Sequence, residues 1–219
     1  PAVSFASGGT ATLVTNTTFG GAVSVTSNNV DIAATTMTVT TNFATSGLGV
    51  LQMPNAAGLV IVNGNATFAG GATPSSGSST VLNNGVLVLR GNFAQLSTVS
   101  VSSFVATYSH KTVLAGTTAQ TVSFASPGSS WFSHLDISNP TGIVLPAGGS
   151  AYGTVAVLAG AGGITGTDFT VGFGLVDPTD KWRVTTTGVY NNTAVTLPAT
   201  MTTNVVFKGN PQSLGNSVT

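Results

Sequence analysis

The chain has 219 residues with no cysteine and no net formal charge, and charged residues make up only 5% of it, against roughly 25% in an average globular protein. Without a basic patch to track phosphates we expect no nucleic acid partner, and without cysteine neither disulfides nor thiolate metal sites can form. No run of about 20 apolar residues predicts a span across a membrane. Because little charge is present to keep copies of the chain apart, the composition favours self-association.

Apolar and polar residues alternate through the first part of the chain with the period of a β-strand. Val23 and Val25 flank a serine, and Met37 and Val39 flank a threonine. Successive side chains of a strand point to opposite faces, so this alternation is typical of strands with one buried face. No window of about 11 residues or more has helical spacing, and clusters of Gly, Asn, Ser and Pro separate the apolar stretches. The sequence therefore predicts an all-β protein.

A four-residue motif that starts with an apolar residue and ends in Gly-Asn recurs along the chain. It ends at Asn65, Asn92 and Asn210, and looser copies end at positions 16, 42, 116, 139, 160 and 188. The mean spacing of about 24 residues lies in the range of solenoids and other repeat arrays. The repeat predicts a parallel β-solenoid (β-helix) with coils of about 24 residues. The alternative is a β-sandwich or jelly roll, whose strands recur at roughly 8 to 12 residues without a longer period.

Asparagine at the corners of a solenoid has a structural use. Successive coils are ~4.8 Å apart, the spacing of paired strands, so equivalent corners lie directly above one another. Asparagine also tolerates the left-handed conformation that tight corners need. We therefore expect a corner ladder formed by Asn42, Asn65, Asn92, Asn139 and Asn210, hydrogen-bonded from coil to coil like the amide ladders of cross-β assemblies.

We expect one domain over residues 1–219, with atypical end segments at 1–20 and 204–219, because the first and last coils must end the stack. Those coils leave unpaired main-chain groups, and charged residues that could block pairing with another chain are scarce. A head-to-tail contact that does not close generates a filament. The leading hypothesis is a structural subunit of an extracellular filament or surface layer. This homopolymer would assemble by β-edge pairing or by exchange of a terminal strand, Ala2–Val14 or Asn204–Thr219.

The segment from Gly85 to Leu145 resembles a known class of protein. It contains VLVLRGNF at 86–93, HKTVLAGTTAQTVSF at 110–124 and SSWFSHLDISNPTGIVL at 129–145. This order is similar to repeats in large secreted bacterial surface proteins, and it covers roughly a quarter of the chain. The resemblance implies a repetitive extracellular β structure at the cell surface. It carries over no catalytic residue.

Aromatic residues suggest an alternative function, an adhesin or glycan-binding module of a larger cell-surface protein that binds polysaccharide. The candidate glycan contacts are Trp131, Trp182 and Tyr190, because an exposed aromatic ring can pack against a sugar. Trp182 lies in the chain's one cluster of charged residues, where Asp177 and Asp180 could also hold a Ca²⁺ ion. A turn with mutually neutralising charges is the favoured interpretation of that cluster, so no metal or cofactor is predicted.

Catalytic chemistry has little support in the sequence. His134 and Asp136 are two residues apart, so on a strand both would face the same way, and with Ser123 or Ser133 they could imitate a hydrolase triad. Spacing is weak support, because a triad is defined by geometry. Glycosidases need two facing carboxyl groups, but the chain has five acidic residues, none of them glutamate. We therefore do not expect this chain to be an enzyme. The remaining histidine, His110, is expected to be exposed at the end of a strand.

Overall fold

The computed structural model of the chain describes residues 1–6, 8–73, 81–146, 149–151, 155–158, 161–162, 164–166, 169–172, 181–184 and 205–206. These residues form short β-strands joined by tight corners and contain no helix. Parallel strands stack coil upon coil into a β-solenoid of about 6 turns. Equivalent positions in successive turns are about 23 residues apart along the chain. The predicted all-β solenoid is therefore confirmed, and the sandwich alternative is wrong. No helix of the described part is long and apolar enough to cross a membrane.

The strands form four sheets. Sheet A consists, in spatial order, of β1 (Val3–Phe5), β4 (Val23–Val25), β7 (Phe43–Thr45), β10 (Ala66–Phe68), β12 (Phe93–Gln95), β14 (Gln120–Phe124), β16 (Ile143–Leu145) and β19 (Ile164–Gly166). Sheet B consists of β2 (Thr10–Thr12), β5 (Asn29–Asp31) and β8 (Val50–Gln52). Sheet C consists of β3 (Thr17–Phe19), β6 (Thr36–Val39), β9 (Leu59–Val62), β11 (Val86–Leu89), β13 (Lys111–Leu114), β15 (His134–Ile137) and β18 (Val155–Val157). Sheet D consists of β17 (Gly149–Ala151), β20 (Phe169–Gly172), β21 (Lys181–Val184) and β22 (Val205–Val206).

Each coil runs from sheet A, across a third side, to sheet C. Hydrogen bonds between stacked corners join residues 20, 23, 27 and 29 positions apart, so coil length varies around the predicted period. Sheet B forms the third side at the start of the stack. Isolated parallel bridges, such as Met53 with Leu82 and Phe132 with Ala151, continue this side through the central coils. Longer loops replace regular strands there.

A column of phenylalanine rings fills the core of the central coils. The ring centroids of Phe43 and Phe68 are 5.8 Å apart, those of Phe68 and Phe93 5.7 Å, and those of Phe93 and Phe124 5.0 Å. The register places Phe43, Ala66 and Phe93 in line on successive coils, so a small residue separates two large ones. All four rings are buried, and such tilted ring pairs stabilise a core beyond the burial of area alone.

Candidate functional site

The N-terminal coil leaves one edge of three sheets without a partner strand among the described residues, because β1, β2 and β3 each begin a sheet. On β1, the N–H of Val3 donates to the C=O of Ala22 (2.8 Å), and the C=O of Phe5 accepts from the N–H of Thr26 (2.9 Å). Alternate residues of a parallel strand direct their main-chain groups to opposite neighbours. The N–H and C=O of Ser4 therefore point away from the stack.

The other two strands of this coil have the same arrangement. The N–H of Leu13, directly after β2, donates to the last residue of β5 (2.9 Å), and the C=O of Phe19 in β3 accepts from the residue after β6 (3.0 Å). Thr12 and Thr18, the residues before them, therefore direct their main-chain groups outward. Together the three strands present donors and acceptors that a strand of another chain can pair with.

Apolar side chains fill the space between these free edges. Phe5, Leu13 and Phe19 pack against the core but are only partly buried, whereas Val25, an inward residue of the next coil, is 0% exposed. The rings of Phe5 and Phe19 meet edge to face with centroids 6.2 Å apart. Residues 1–20 contain no charged side chain. We call the free edges of β1, β2 and β3, together with the three partly buried side chains, the N-terminal end face.

The opposite end of the stack is built differently. β18 and β19 are the last described strands of sheets C and A, and both pair in parallel with the coil before them. Sheet D changes direction, because β21 pairs antiparallel with β20 and β22 pairs antiparallel with β21. Two sides of the stack therefore end in parallel strands like those of the N-terminal end face, and the third side ends in antiparallel strands.

Asparagine side chains stack along the corner between sheets C and A. The Oδ1 of Asn42 accepts a hydrogen bond from the main-chain N–H of Asn65 (2.8 Å), the Oδ1 of Asn65 from that of Asn92 (2.9 Å), and the Oδ1 of Asn92 from that of Thr121 (2.8 Å). These bonds run from each side chain to the main chain of the next coil, rather than from amide to amide. Ala22 occupies the aligned position one coil earlier, so the series begins at Asn42.

Glycine in the repeated motif lets these corners stack closely. A Cβ atom at Gly64 would lie 2.5 Å from the Oδ1 of Asn42, and one at Gly91 would overlap the main chain of Gly64. Any larger residue would push successive corners apart and break the side-chain hydrogen bonds. The recurrence of Gly-Asn in the sequence therefore has a steric cause.

The other two predicted ladder residues differ from the first three. Asn139 is buried, and its Nδ2 donates to the C=O of Thr118 (2.7 Å) and the Oε1 of Gln120 (2.9 Å). Its Oδ1 accepts from the N–H of Thr141 in its own corner (2.8 Å). The side chain thus ties its corner to the preceding coil. Asn210 lies outside the described residues.

A shallow groove runs beside the stacked asparagines. Its lining includes Asn42, Asn63, Asn65 and Thr117, and Arg90 is the charged residue in it. The Nη1 of Arg90 donates to the Oδ1 of Asn63 (2.9 Å). A guanidinium group beside amides can donate hydrogen bonds to a carboxylate or a hydroxyl group. The groove therefore offers donors to a polar ligand, but it places no acid beside a base.

Of the three predicted glycan contacts, only the side chain of Trp131 lies in the described part. Trp131 is 9% exposed, so its ring has too little free surface for a sugar to stack on, and we assign it to the core. Trp182 belongs to β21, but its side chain lies outside the described residues. Tyr190, Asp177 and Asp180 lie outside them altogether.

Two of the residues considered for a catalytic triad have other partners, and Ser123 lies elsewhere. His134 and Asp136 occupy the outward positions of β15, and the Oδ2 of Asp136 lies 2.8 Å from the Nζ of Lys111. The Oγ of Ser133 donates to a main-chain carbonyl of the preceding coil (2.6 Å), and Ser123 lies in sheet A, on another side of the stack. Among the described residues, no group of three or more His, Cys, Asp or Glu could hold a metal ion.

His110 lies in the interior, and its predicted exposure is wrong. The ring is 0% exposed, packs edge-on against Phe104 and donates from Nδ1 to the C=O of Asn84 (2.7 Å). Burial lowers the pKa of His110 to about 4, assisted by the nearby His134, while the hydrogen bond to Asn84 acts in the opposite direction. The alternation of strand residues could have predicted this burial. His110 lies four residues before Leu114, which faces inward, so both side chains point to the same side of the strand.

Comparison of the chain with protein-family models, with curated proteins and with solved structures gave no match. The resemblance of residues 85–145 to repeats of secreted surface proteins therefore stays a prediction from the sequence. The repeat architecture itself is shown by the stacked parallel strands.

Proposed function

We propose that this chain is a structural subunit that polymerises head to tail into an extracellular filament or surface layer. The observation that carries the proposal is the N-terminal end face, where the edges of three sheets have no partner strand among the described residues and residues 1–20 contain no charged side chain. Proteins usually protect such edges with charged side chains, proline or a covering element. A second copy of the chain can supply strands of matching direction and spacing.

Elementary energetics support association through this surface. A joint that continues two of the three sides adds roughly 6 main-chain hydrogen bonds, each worth a net ~1 kcal/mol. It also covers Phe5, Leu13 and Phe19, which are only partly buried in one copy. Association costs about 4 to 15 kcal/mol in lost freedom of motion. The gain therefore balances or exceeds the cost when the two ends fit.

The far end of the stack offers suitable partner strands. β18 and β19 belong to sheets C and A, the same two sheets that begin with β3 and β1. A second copy placed end to end would continue both sheets with parallel strands. Such a contact joins two different surfaces at opposite ends of the stack, so each added copy extends the stack along its own axis. A head-to-tail contact of this kind that does not close into a ring produces a filament.

The location outside the cell rests on sequence features. Residues 85–145 resemble repeats of secreted bacterial surface proteins, and the low charge of the chain favours self-association over solubility.

An adhesin function is our second choice. Trp131 is buried, and Arg90 supplies the single charge of the groove beside the asparagines, so neither feature selects a glycan.

Electron microscopy and light scattering of the purified chain at low micromolar concentration test the proposal. We expect long uniform filaments without any ligand. The double variant Ser4→Pro, Thr18→Pro removes two outward N–H groups and leaves the bonds of Val3 and Phe5 to β4 in place. Because each lost hydrogen bond is worth ~1 kcal/mol, the association constant should fall by about tenfold or more, and the filaments should shorten.

The matched control is Ser4→Ala, Thr18→Ser, which alters the same positions but keeps both N–H groups. It should polymerise like the wild-type chain, and circular dichroism should show the same β structure in all three proteins. Dispersed wild-type monomers across a range of salt concentrations would overturn the proposal. Filaments of the proline variant as long as those of the control would do the same.

A further inference from the structure

The outer face of sheet C carries large aliphatic side chains. β9, β11 and β13 each alternate partly buried and buried residues, so their first and third residues point outward. The register aligns Leu59 with Val86, and it aligns Ile61 with Val88 and Val113. We call these five side chains, on three adjacent strands, the aliphatic patch.

The outer face of sheet A provides an internal comparison. Its aligned outward positions hold Ser24, Ala44, Thr67, Ala94 and Ser123. Both sheets have the same parallel pairing, so strand formation does not by itself require Leu, Ile and Val on an outer face. Threonine suits a strand equally well and exposes less apolar surface. The aliphatic patch therefore points to a contact with another molecule.

We infer that the aliphatic patch joins filaments of this chain side by side, an inference that rests on the head-to-tail polymer proposed above. The size of the patch selects the partner. Three strands ~4.8 Å apart, with four residues of ~3.3 Å each, span roughly 200 Å², whereas a stable pair of single molecules covers about 800 Å² on each partner. One patch is too small to hold a lone partner. A filament presents the patch once per subunit, and linked weak contacts give strong association.

The charges around the aliphatic patch favour a second copy as the partner. Lys111 and Asp136 border it on one side and form an ion pair of 2.8 Å, and Thr36 and Thr38 border the other side. One positive and one negative charge are self-complementary when two identical faces meet, since each group can pair with its opposite on the other copy. A strongly acidic or basic partner would not be attracted to this surface, because its one positive and one negative side chain produce no net charge.

The test compares a patch variant with a matched control on sheet A. Ile61→Thr with Val88→Thr keeps β-branched residues on the strands but makes the patch polar, and Ala44→Thr with Ala94→Thr places the same side chains on the outer face of sheet A. Electron microscopy counts the fraction of filaments in bundles, while filament length reports the head-to-tail contact separately. We expect the patch variant to form single filaments of wild-type length, with bundling reduced by about tenfold or more, and the control to bundle like the wild type.

Three results would overturn the lateral contact. Wild-type filaments that stay single over a range of salt and protein concentrations would do so and would leave the head-to-tail proposal intact. A patch variant that bundles like the control would also do so. If no chain forms filaments, both proposals fall. Should the double variant not fold, the nearly isosteric Val88→Thr alone replaces it and should lower bundling in the same direction.

Discussion

The first coil and the central coils share one backbone design but have different surroundings. Phe5 and Phe19 of the first coil are partly buried, and in the part of the chain that the structure describes they have a neighbouring coil on one side only. Phe68 and Phe93 of the central coils are 1% exposed and lie between two coils. In a solenoid, stability comes largely from the interfaces between neighbouring repeats. The same residue type therefore contributes less in the first coil, and that coil has the most to gain from a second copy.

The two regions should differ most in the stability that they lose when one phenylalanine ring is removed. Phe93→Ala deletes a buried ring that contacts the rings of four other residues, and it should lower the free energy of unfolding by about 3 to 5 kcal/mol. Phe5→Ala deletes a partly buried ring and should lower it by at most about 2 kcal/mol. Denaturation of both variants by urea measures the difference. Equal losses would mean that the first coil is packed as firmly as the centre.

Acid should destabilise the central coils and spare the first coil, which has no titratable side chain in residues 1–20. The pKa of His110 is lowered to about 4 in the folded chain, whereas an unfolded chain binds this proton near pH 6.5. The unfolded state therefore binds more protons between these values. Stability should be complete above about pH 6.5 and decrease toward pH 4 by up to about 3 kcal/mol.

Denaturation at a series of pH values measures this loss, and His110→Gln should reduce it. His134→Gln is the matched control, because His134 is the second of the two histidines and occupies an outward position of β15. The control should keep most of the acid-dependent loss, because the burial of His110, the largest cause of its lowered pKa, is unchanged. An acid response that His110→Gln leaves unchanged would contradict the assignment to His110.

Substitutions in the series of stacked asparagines should give the smallest change in the free energy of unfolding. Asn65→Ala deletes the acceptor for the N–H of Asn92 and should lower the free energy of unfolding by about 1 kcal/mol. Ala22→Asn, aligned with Asn42, should extend the series by one coil and stabilise the chain by at most about the same amount. Thermal denaturation measures both changes. Asn63→Ala, outside the series, is the control, because it deletes only an exposed bond between two side chains, from Arg90, and should cost less. A loss as large as that of Asn65→Ala would count against the ladder.

The repeated motif predicted tight corners but did not distinguish one corner from another. Asn65 and Asn92 lie on the corner between sheets C and A and are aligned there. Asn16 ends a similar motif, but its Oδ1 accepts from the N–H of Thr36 (2.8 Å) on the corner between sheets B and C. A four-residue pattern indicates only the local conformation of the chain, and more than one corner of each coil needs the same conformation.

The sequence by itself determined the fold class and the approximate period, because strand alternation and Gly-Asn corners are properties of a few neighbouring residues. The tertiary structure decided which side chains face inward, as His110 and Trp131 illustrate, and which distant residues share a surface, as Leu59, Val86 and Val113 do. The physical reason is the register between coils. Hydrogen bonds between residues 20 to 29 positions apart set it, and no short pattern in the chain records that alignment.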